Sequence, residues 1–208
     1  MKRVFKSLIV PMVISLLSLN CASSTTNLTW VWKDETYDEG FLDDIMVIGV
    51  SDNFERRKIF ENILVEELKD SGVNAVSGAA AIPADEELTR EKVLAEVEKQ
   101  GLDAILITYL VGVKREDKFV PPATSEYPYP GYARFNIYSY TTGVYSFYGG
   151  SYEKRREINL DTHIYEAESQ MMIWSAKSKT TNAETVTKLS ETLARAIIRD
   201  LRQEKLIK

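Results

Sequence analysis

The stretch Asp44-Ile45-Met46-Val47-Ile48-Gly49-Val50-Ser51-Asp52-Asn53 decides the fold. Its continuous apolar run, bounded by Asp44 and Ser51, fits a strand buried on both faces. Ser51, Asp52 and Asn53 then supply helix N-cap candidates. Ile59, Phe60, Ile63, Leu64 and Leu68 follow at three-to-four spacing with charges between them, which predicts an amphipathic helix over residues 54–71. Ser71-Gly72 provides the stop.

Working outward, residues 73–77 read as a second strand and 79–83 as a loop. Residues 88–100 read as a second helix, with Thr89 near its start, Val93, Leu94 and Val97 on one face, and Gly101 after its end. Residues 103–113 form a long apolar strand. The order strand, helix, strand, helix, strand implies parallel strands joined by right-handed crossovers under helices. Upstream, Thr29-Trp30-Val31-Trp32 reads as a short strand whose tryptophans cap a core, and residues 33–44 read as an acidic turn region around Gly40.

Beyond Val113 the pattern changes. Pro121, Pro122, Pro128 and Pro130 predict an irregular excursion over 119–132. Eight of the eleven tyrosines fall between 127 and 152, which makes this segment the one unusual surface feature. Tyrosine offers large amphipathic contact area, so Tyr138, Tyr140, Tyr145 and Tyr148 are candidate partner-binding residues. The bland alternative is a long hairpin whose tyrosines cover the sheet. Ile158, Leu160, Thr162 and Ile164 alternate with polar residues as in a half-buried antiparallel strand. Residues 171–179 read as its hairpin partner, with the turn near Ser169-Gln170, and 184–203 as a last helix. The predicted fold is α/β in the α+β sense. A mixed sheet with a β-α-β-α-β start carries a Tyr-rich antiparallel excursion, a β-hairpin and a C-terminal helix.

The N-terminus reads differently. Lys2, Arg3 and Lys6 precede an apolar core from Leu8 to Leu19, a secretory signal pattern. Cys21, the only cysteine, stands at its end with Ala22, Ser23 and Ser24 behind it. Leu17-Ser18-Leu19-Asn20-Cys21 resembles the lipobox of bacterial lipoproteins, with Ser18 where that pattern usually has leucine. The resemblance implies signal cleavage before Cys21, a diacylglycerol on its sulfur and an acyl chain, such as palmitate, on its amine. The alternatives are an ordinary signal peptide with an incidental cysteine and an uncleaved anchor. The apolar run is short for a span, and Pro11 interrupts it. Since no aspartate follows Cys21, the lipobox pattern implies the outer membrane. The domain plan is then a signal over 1–20, the lipidated Cys21 with a Ser/Thr-rich tether over 21–29, and one periplasmic domain over 30–208.

The chain has 208 residues, 44% hydrophobic and 27% charged, which marks a globular protein. Its formal charge is −5. Removing Lys2, Arg3 and Lys6 leaves 23 basic against 31 acidic residues, or −8. An acidic domain without a basic stripe argues against nucleic acid and against electrostatic docking on anionic lipid. With Cys21 lipidated, no thiol remains for a disulfide.

Taken together, Val31-Trp32-Lys33-Asp34, Val47-Ile48-Gly49-Val50, Ile59-Phe60-Glu61, Gly101-Leu102-Asp103-Ala104-Ile105-Leu106-Ile107-Thr108 and Met172-Ile173-Trp174-Ser175-Ala176 resemble a family of bacterial envelope lipoproteins built on a domain of unknown function. The order of elements also resembles periplasmic domains of penicillin-binding-protein activator lipoproteins, curli-secretion lipoproteins and the N-terminal domain of TolB. These resemblances imply a fold and carry no chemistry.

Catalytic, metal and cofactor signals are weak. His163 is the only histidine, and it falls on the strand face opposite Thr162 and Ile164. One histidine without a free cysteine does not make a metal site, and any Ser/His/Asp triad would have to use it. Gly49-Val50-Ser51-Asp52 lacks the glycines and lysine of a phosphate loop. Asp43-Asp44, Glu66-Glu67 and Asp85-Glu86-Glu87 read as solvated acids. Asp52 is the best-placed polar group, just past the first strand where open α/β sheets bind ligands. It reads as a cap or as a ligand-binding residue.

The sequence therefore predicts a non-enzymatic envelope lipoprotein, held at the membrane by its lipid, that binds an envelope protein or the cell wall. An oligomeric structural or secretion component is the second reading, and a carboxylate-dependent hydrolase the third. Catalytic residues, metal and cofactor are expected to be none, and the oligomeric state is open.

Overall fold

A strand buried on both faces needs helices above and below it, and the chain supplies them in alternation. The computed structural model describes residues 24–38, 40–120 and 151–208. In chain order these give β1 (Thr25–Lys33), β2 (Asp44–Val50), α1 (Phe54–Asp70), β3 (Asn74–Ser77), α2 (Gly78–Ala81), α3 (Arg90–Gln100), β4 (Ala104–Val120), β5 (Ser151–Glu166), β6 (Met172–Thr181) and α4 (Val186–Gln203). The sheet order is β1-β6-β5-β4-β2-β3. β2 is parallel to both β3 and β4, and all other pairs are antiparallel. The predicted mixed sheet and C-terminal helix are present.

The crossovers explain the layers. The step from β2 to β3 moves outward by one strand, and the step from β3 to β4 moves back past β2. Right-handed connections running in opposite directions put their helices on opposite faces. On the first face, Phe60, Leu64 and Leu68 of α1 pack with Leu193, Ile197 and Leu201 of α4 over Ile45, Val47, Leu106, Ile164 and Trp174. On the second face, Val93 and Val97 of α3 pack over Met46, Ile48 and Ile105. The first face is thus roofed by two helices. Among the described residues, the second is roofed only where α3 crosses β2 and β4.

Local chemistry sets the helix ends. The Asn53 side chain caps α1 by accepting from the Arg56 N–H at 2.9 Å, so Asp52 stands one position short of the cap. Thr89 caps α3, and Gly101 ends it at φ 65°, a left-handed backbone that glycine adopts without strain.

Several boundaries differ from the sequence expectations. β1 begins at Thr25, inside the stretch read as tether, because Thr26 is buried and its Oγ1 shares hydrogen bonds with Thr180 (2.6 Å) and Thr192 (2.8 Å). Residues read as a loop contain α2, whose single turn closes with Ile82 N–H donating to Gly78 O at 2.7 Å. β4 runs on to Val120 and β5 begins at Ser151, so the two pair as a ribbon past the end of β2.

Candidate binding face

Pleating decides which side chains line the unroofed half of the second face. On β5, Ile158, Leu160, Thr162 and Ile164 are buried toward α4, so Asp161, His163 and Tyr165 point the other way. β6 presents Ser175 and Lys177 opposite His163 and Asp161. On β4, Tyr109 lies opposite Asp161 and Ile107 opposite His163. On β1, Trp30 pairs with Lys177 and Trp32 with Ser175.

The sequence pattern has these tryptophans capping a core. They are 47% and 38% exposed instead, and a bulge is the reason. Thr26 and Leu28 face the helices. The register shifts between Leu28 and Trp30, which turns Val31 inward and both tryptophans outward. Tyr109 is also exposed, at 37%. The result is a flat face with aromatic rings at both borders and polar groups between them.

His163 stands at its centre in a chain of hydrogen bonds. Its Nδ1 lies 2.8 Å from Ser175 Oγ and its Nε2 lies 3.4 Å from the Tyr109 hydroxyl, which in turn donates to Asp161 Oδ2 at 3.3 Å. With the ring neutral, one proton arrangement satisfies all three contacts. Ser175 donates to Nδ1, Nε2–H donates to Tyr109, and Tyr109 donates to Asp161. Burial pushes the His163 pKa below its ordinary value, against the opposing pull of Asp161, so the ring is neutral at neutral pH. Ser175 is buried, and its strand is hydrogen-bonded on both edges, to β5 and to β1. The Ser–His contact therefore fixes the imidazole ring and offers no exposed hydroxyl beside free backbone donors.

Both signs of charge meet on this face, Glu157 and Asp161 with Lys114, Lys177 and Lys179. Lys179 pairs with Glu157 at 3.0 Å, Lys177 lies opposite Asp161, and the Lys177 ammonium sits 5.9 Å from the Trp30 ring centroid. At the α3 border the face opens into a pocket of about 370 Å³, lined by Leu88, Val93, Leu94, Ile105, Ile107 and Tyr165. An Arg90–Gln170 hydrogen bond spans from the start of α3 to the β5–β6 turn beside it. Tyr165 belongs to both pocket and face, its ring 6.2 Å from that of His163.

The sequence candidates fare unevenly. His163 is on the predicted side of β5, where it is hydrogen-bonded rather than simply solvent-facing. Asp52 is exposed in the turn between β2 and α1, and no hydrogen bond joins it to the residues of the open face. Cys21 and Tyr138, Tyr140, Tyr145 and Tyr148 lie outside the described residues. Among the described residues no group of acids and histidine could hold a metal ion, and no helix is long and apolar enough to cross a membrane.

No protein-family model and no curated protein matches the sequence. Solved structures similar to this chain include the PelC dodecamer from Paraburkholderia phytofirmans, at TM-score 0.45 and 11% identity, covering 84% of this chain and 95% of that one. Lipoprotein GNA1162 from Neisseria meningitidis aligns at TM-score 0.38 and 10% identity, covering 77% and 98%. A minor lipoprotein from Acinetobacter baumannii aligns at 0.33 and 8%, covering 80% and 98%. At these values the neighbours carry no function to this chain.

Proposed function

We propose that this protein is a lipid-anchored module of the bacterial envelope that works by binding rather than catalysis. Acylated Cys21 holds it at the outer membrane, facing the periplasm, and the unroofed sheet face meets an envelope protein or the cell wall. The observation that carries this reading is the grouping of exposed Trp30, Trp32 and Tyr109 on a half of the sheet that none of the described helices covers. Large exposed aromatic residues gathered on one face mark contact surfaces. The lipobox-like sequence at Cys21 supports the anchor, since two or more acyl chains give stable attachment.

A photo-crosslinking residue placed at Trp32 in cells tests the face. The control position is Glu66, exposed on α1. An adduct at position 32, absent when the crosslinker replaces Glu66, is the expected result. Equal labelling at both positions, or none, ends the assignment. Mass spectrometry of the mature N-terminus tests the anchor, with loss of the lipid in Cys21→Ser.

A second reading, self-assembly, is favoured by one further observation. Leu110, Val111 and Val113 are 54%, 57% and 40% exposed where the β4–β5 ribbon leaves the sheet. Sedimentation of the full chain should then show an assembly that Val111→Asp dissolves.

A further inference from the structure

The start of β1 sets how far the domain can stand from its anchor. Cys21 lies four residues before Thr25, where β1 begins, and such a stretch spans at most about 14 Å when fully extended. Thr25 shares one cross-sheet row with Thr181, Glu157 and Lys114. The leash therefore leaves the sheet at the end from which the β4–β5 ribbon projects. The far end of β5, at Glu166, is nine residues from Glu157, about 30 Å along the strand. A domain resting on that end would lift Thr25 higher above the bilayer than the leash can reach.

The ribbon adds a second constraint. From Lys114, β4 runs six residues further, to Val120, paired with β5 as far as Ser151. That carries the ribbon about 20 Å past the row of Thr25, more than the leash can span. Held upright, its tip would enter the bilayer. Residues 114–118 are all charged, and charged side chains are costly in hydrocarbon. A ribbon kept this close to lipid and excluded from its core lies along the surface.

The base of the ribbon is apolar where it would meet that surface. Leu110, Val111 and Val113 are exposed there. Leu110 lies opposite Leu160 and Val113 opposite Ile158, so both share the α4 side of the sheet rather than the open face. Val111 is the extra residue at the register shift between Leu110 and Gly112. Exposed apolar residues rimmed by charge mark a protein or a membrane contact. The leash selects the membrane, because it keeps this end against lipid whatever else is bound. Charge does not choose the lipid. Lys114, Arg115, Arg156 and Lys179 stand with Glu116 and Glu157 at the base of the ribbon, and Asp52, Glu55 and Arg56 lie in the adjoining β2–α1 connection. The contact is therefore apolar and suits neutral lipid.

We propose that this protein docks side-on to the bilayer that holds its lipid: the β4–β5 ribbon lies along the headgroups, Leu110, Val111 and Val113 enter the interface, and the open face is turned away from the lipid. This rests on the reading of acylated Cys21 as the anchor.

The test is depth-dependent fluorescence quenching on the full acylated chain in phosphatidylcholine vesicles. Cys21 is the only cysteine, so once it is acylated an introduced cysteine is the sole thiol to label. The positions are Val111→Cys, Arg115→Cys and Met171→Cys, the last exposed at the far end of the sheet beside Glu166. Nitroxides on the lipid headgroup or in mid-chain are the quenchers. Position 111 should be quenched severalfold more than 171, and high salt should leave this unchanged. Position 115 should be quenched more by the headgroup nitroxide than by the mid-chain one. Leu110→Asp should cut quenching at 111 severalfold without moving the unfolding midpoint.

Equal quenching at 111 and 171, or a contact at 111 that high salt removes, would overturn the docking. Stronger mid-chain than headgroup quenching at 115 would mean that the ribbon pierces the bilayer, and the side-on arrangement falls. If 111 is unquenched and Val111→Asp dissolves an assembly, these residues belong to a second copy and the docking falls. Mass spectrometry of the mature N-terminus separates the failures. An acylated chain with 111 unquenched loses the docking alone, whereas a chain without lipid loses the anchor and the docking together.

Discussion

Arg57 and Glu61 form a buried ion pair across one turn of α1, with Arg57 Nε donating to Glu61 Oε1 at 2.8 Å. Glu61 is fully buried and accepts three further hydrogen bonds, from Gly49 N–H (2.9 Å), Ser77 Oγ (2.8 Å) and Ala79 N–H (2.5 Å). The β2–β3 ladder ends at Val47 and Ser77. Beyond that pair the Glu61 carboxylate serves the backbone donors that a longer β3 would have served. One side chain thus ties α1 to β2, β3 and α2.

Removing one member of such a pair strands the other. Glu61→Ala should destabilise the protein by about 3–5 kcal/mol, because a buried guanidinium and two buried N–H groups lose their acceptor. Arg57 Nη2 already has no hydrogen-bond partner, so the guanidinium has no alternative to fall back on. The paired change Arg57→Met with Glu61→Leu should cost less than Glu61→Ala alone. Urea unfolding of the three variants checks this. A Glu61→Ala loss below about 1 kcal/mol, in the range of an exposed pair, would contradict it.

Trp174 links the sheet to α4. It is fully buried, and its Nε1–H donates to Asp200 Oδ2 at 2.9 Å. Trp174→Ala should cost about 3–5 kcal/mol through the cavity it opens. Asp200→Ala leaves the ring in place and removes only the acceptor, so its cost should be about 1–3 kcal/mol. Thermal or urea denaturation should rank the two variants in that order, and a reversed order would place the coupling in the hydrogen bond rather than in packing.

Much of the fold is legible in the sequence because burial on both sides leaves unbroken apolar runs. Ile45 to Val50 and Ala104 to Ile107 read directly as parallel strands, and the three-to-four spacing of Phe60, Leu64 and Leu68 matches the face that α1 buries. The open face is not legible, and the reason is a single residue. Without the bulge at Thr29, Trp30 and Trp32 would share the inward phase of Thr26 and Leu28, which is the capping role the sequence suggests. Nor does local pattern show that β4 and β5 continue to pair beyond Val113. Residues 114–118 are all charged, so they lack the apolar alternation of a strand, and their partners lie on the far side of the Tyr-rich segment. The Tyr109–His163–Ser175 cluster joins three strands, so it exists only once the register is known.

Gly49 marks the closest approach of α1 to β2. A Cβ there would meet Phe60 Cδ1 at 2.8 Å, with the ring held in the core. Gly49→Ala should therefore cost about 1–3 kcal/mol by overpacking. Combining it with Phe60→Leu, which shortens the clashing side chain, should cost less than the sum of the two single changes. Strict additivity in a double-mutant cycle would show that the backbone, not Phe60, absorbs the added methyl group.

His163 gives the chain one clean titration, since it is the only histidine. Its folded pKa lies below the ordinary histidine value of 6.5, first because burial disfavours the imidazolium; the nearby Asp161 opposes this and loses. The sign of the linkage follows. Between the folded and unfolded pKa values the unfolded chain binds more protons, so stability rises with pH there. This contribution is complete above about 6.5 and is lost as pH falls through the folded value. Protonation also reverses the Ser175 contact, Nδ1–H then donating to the serine oxygen. An NMR titration of the imidazole Cε1–H in untagged protein should give a midpoint below 6.5, and His163→Gln should flatten the difference in unfolding midpoint between pH 7 and pH 5. A midpoint above 6.5 would mean that Asp161 outweighs burial, and stability from this site would then grow, not fall, on acidification.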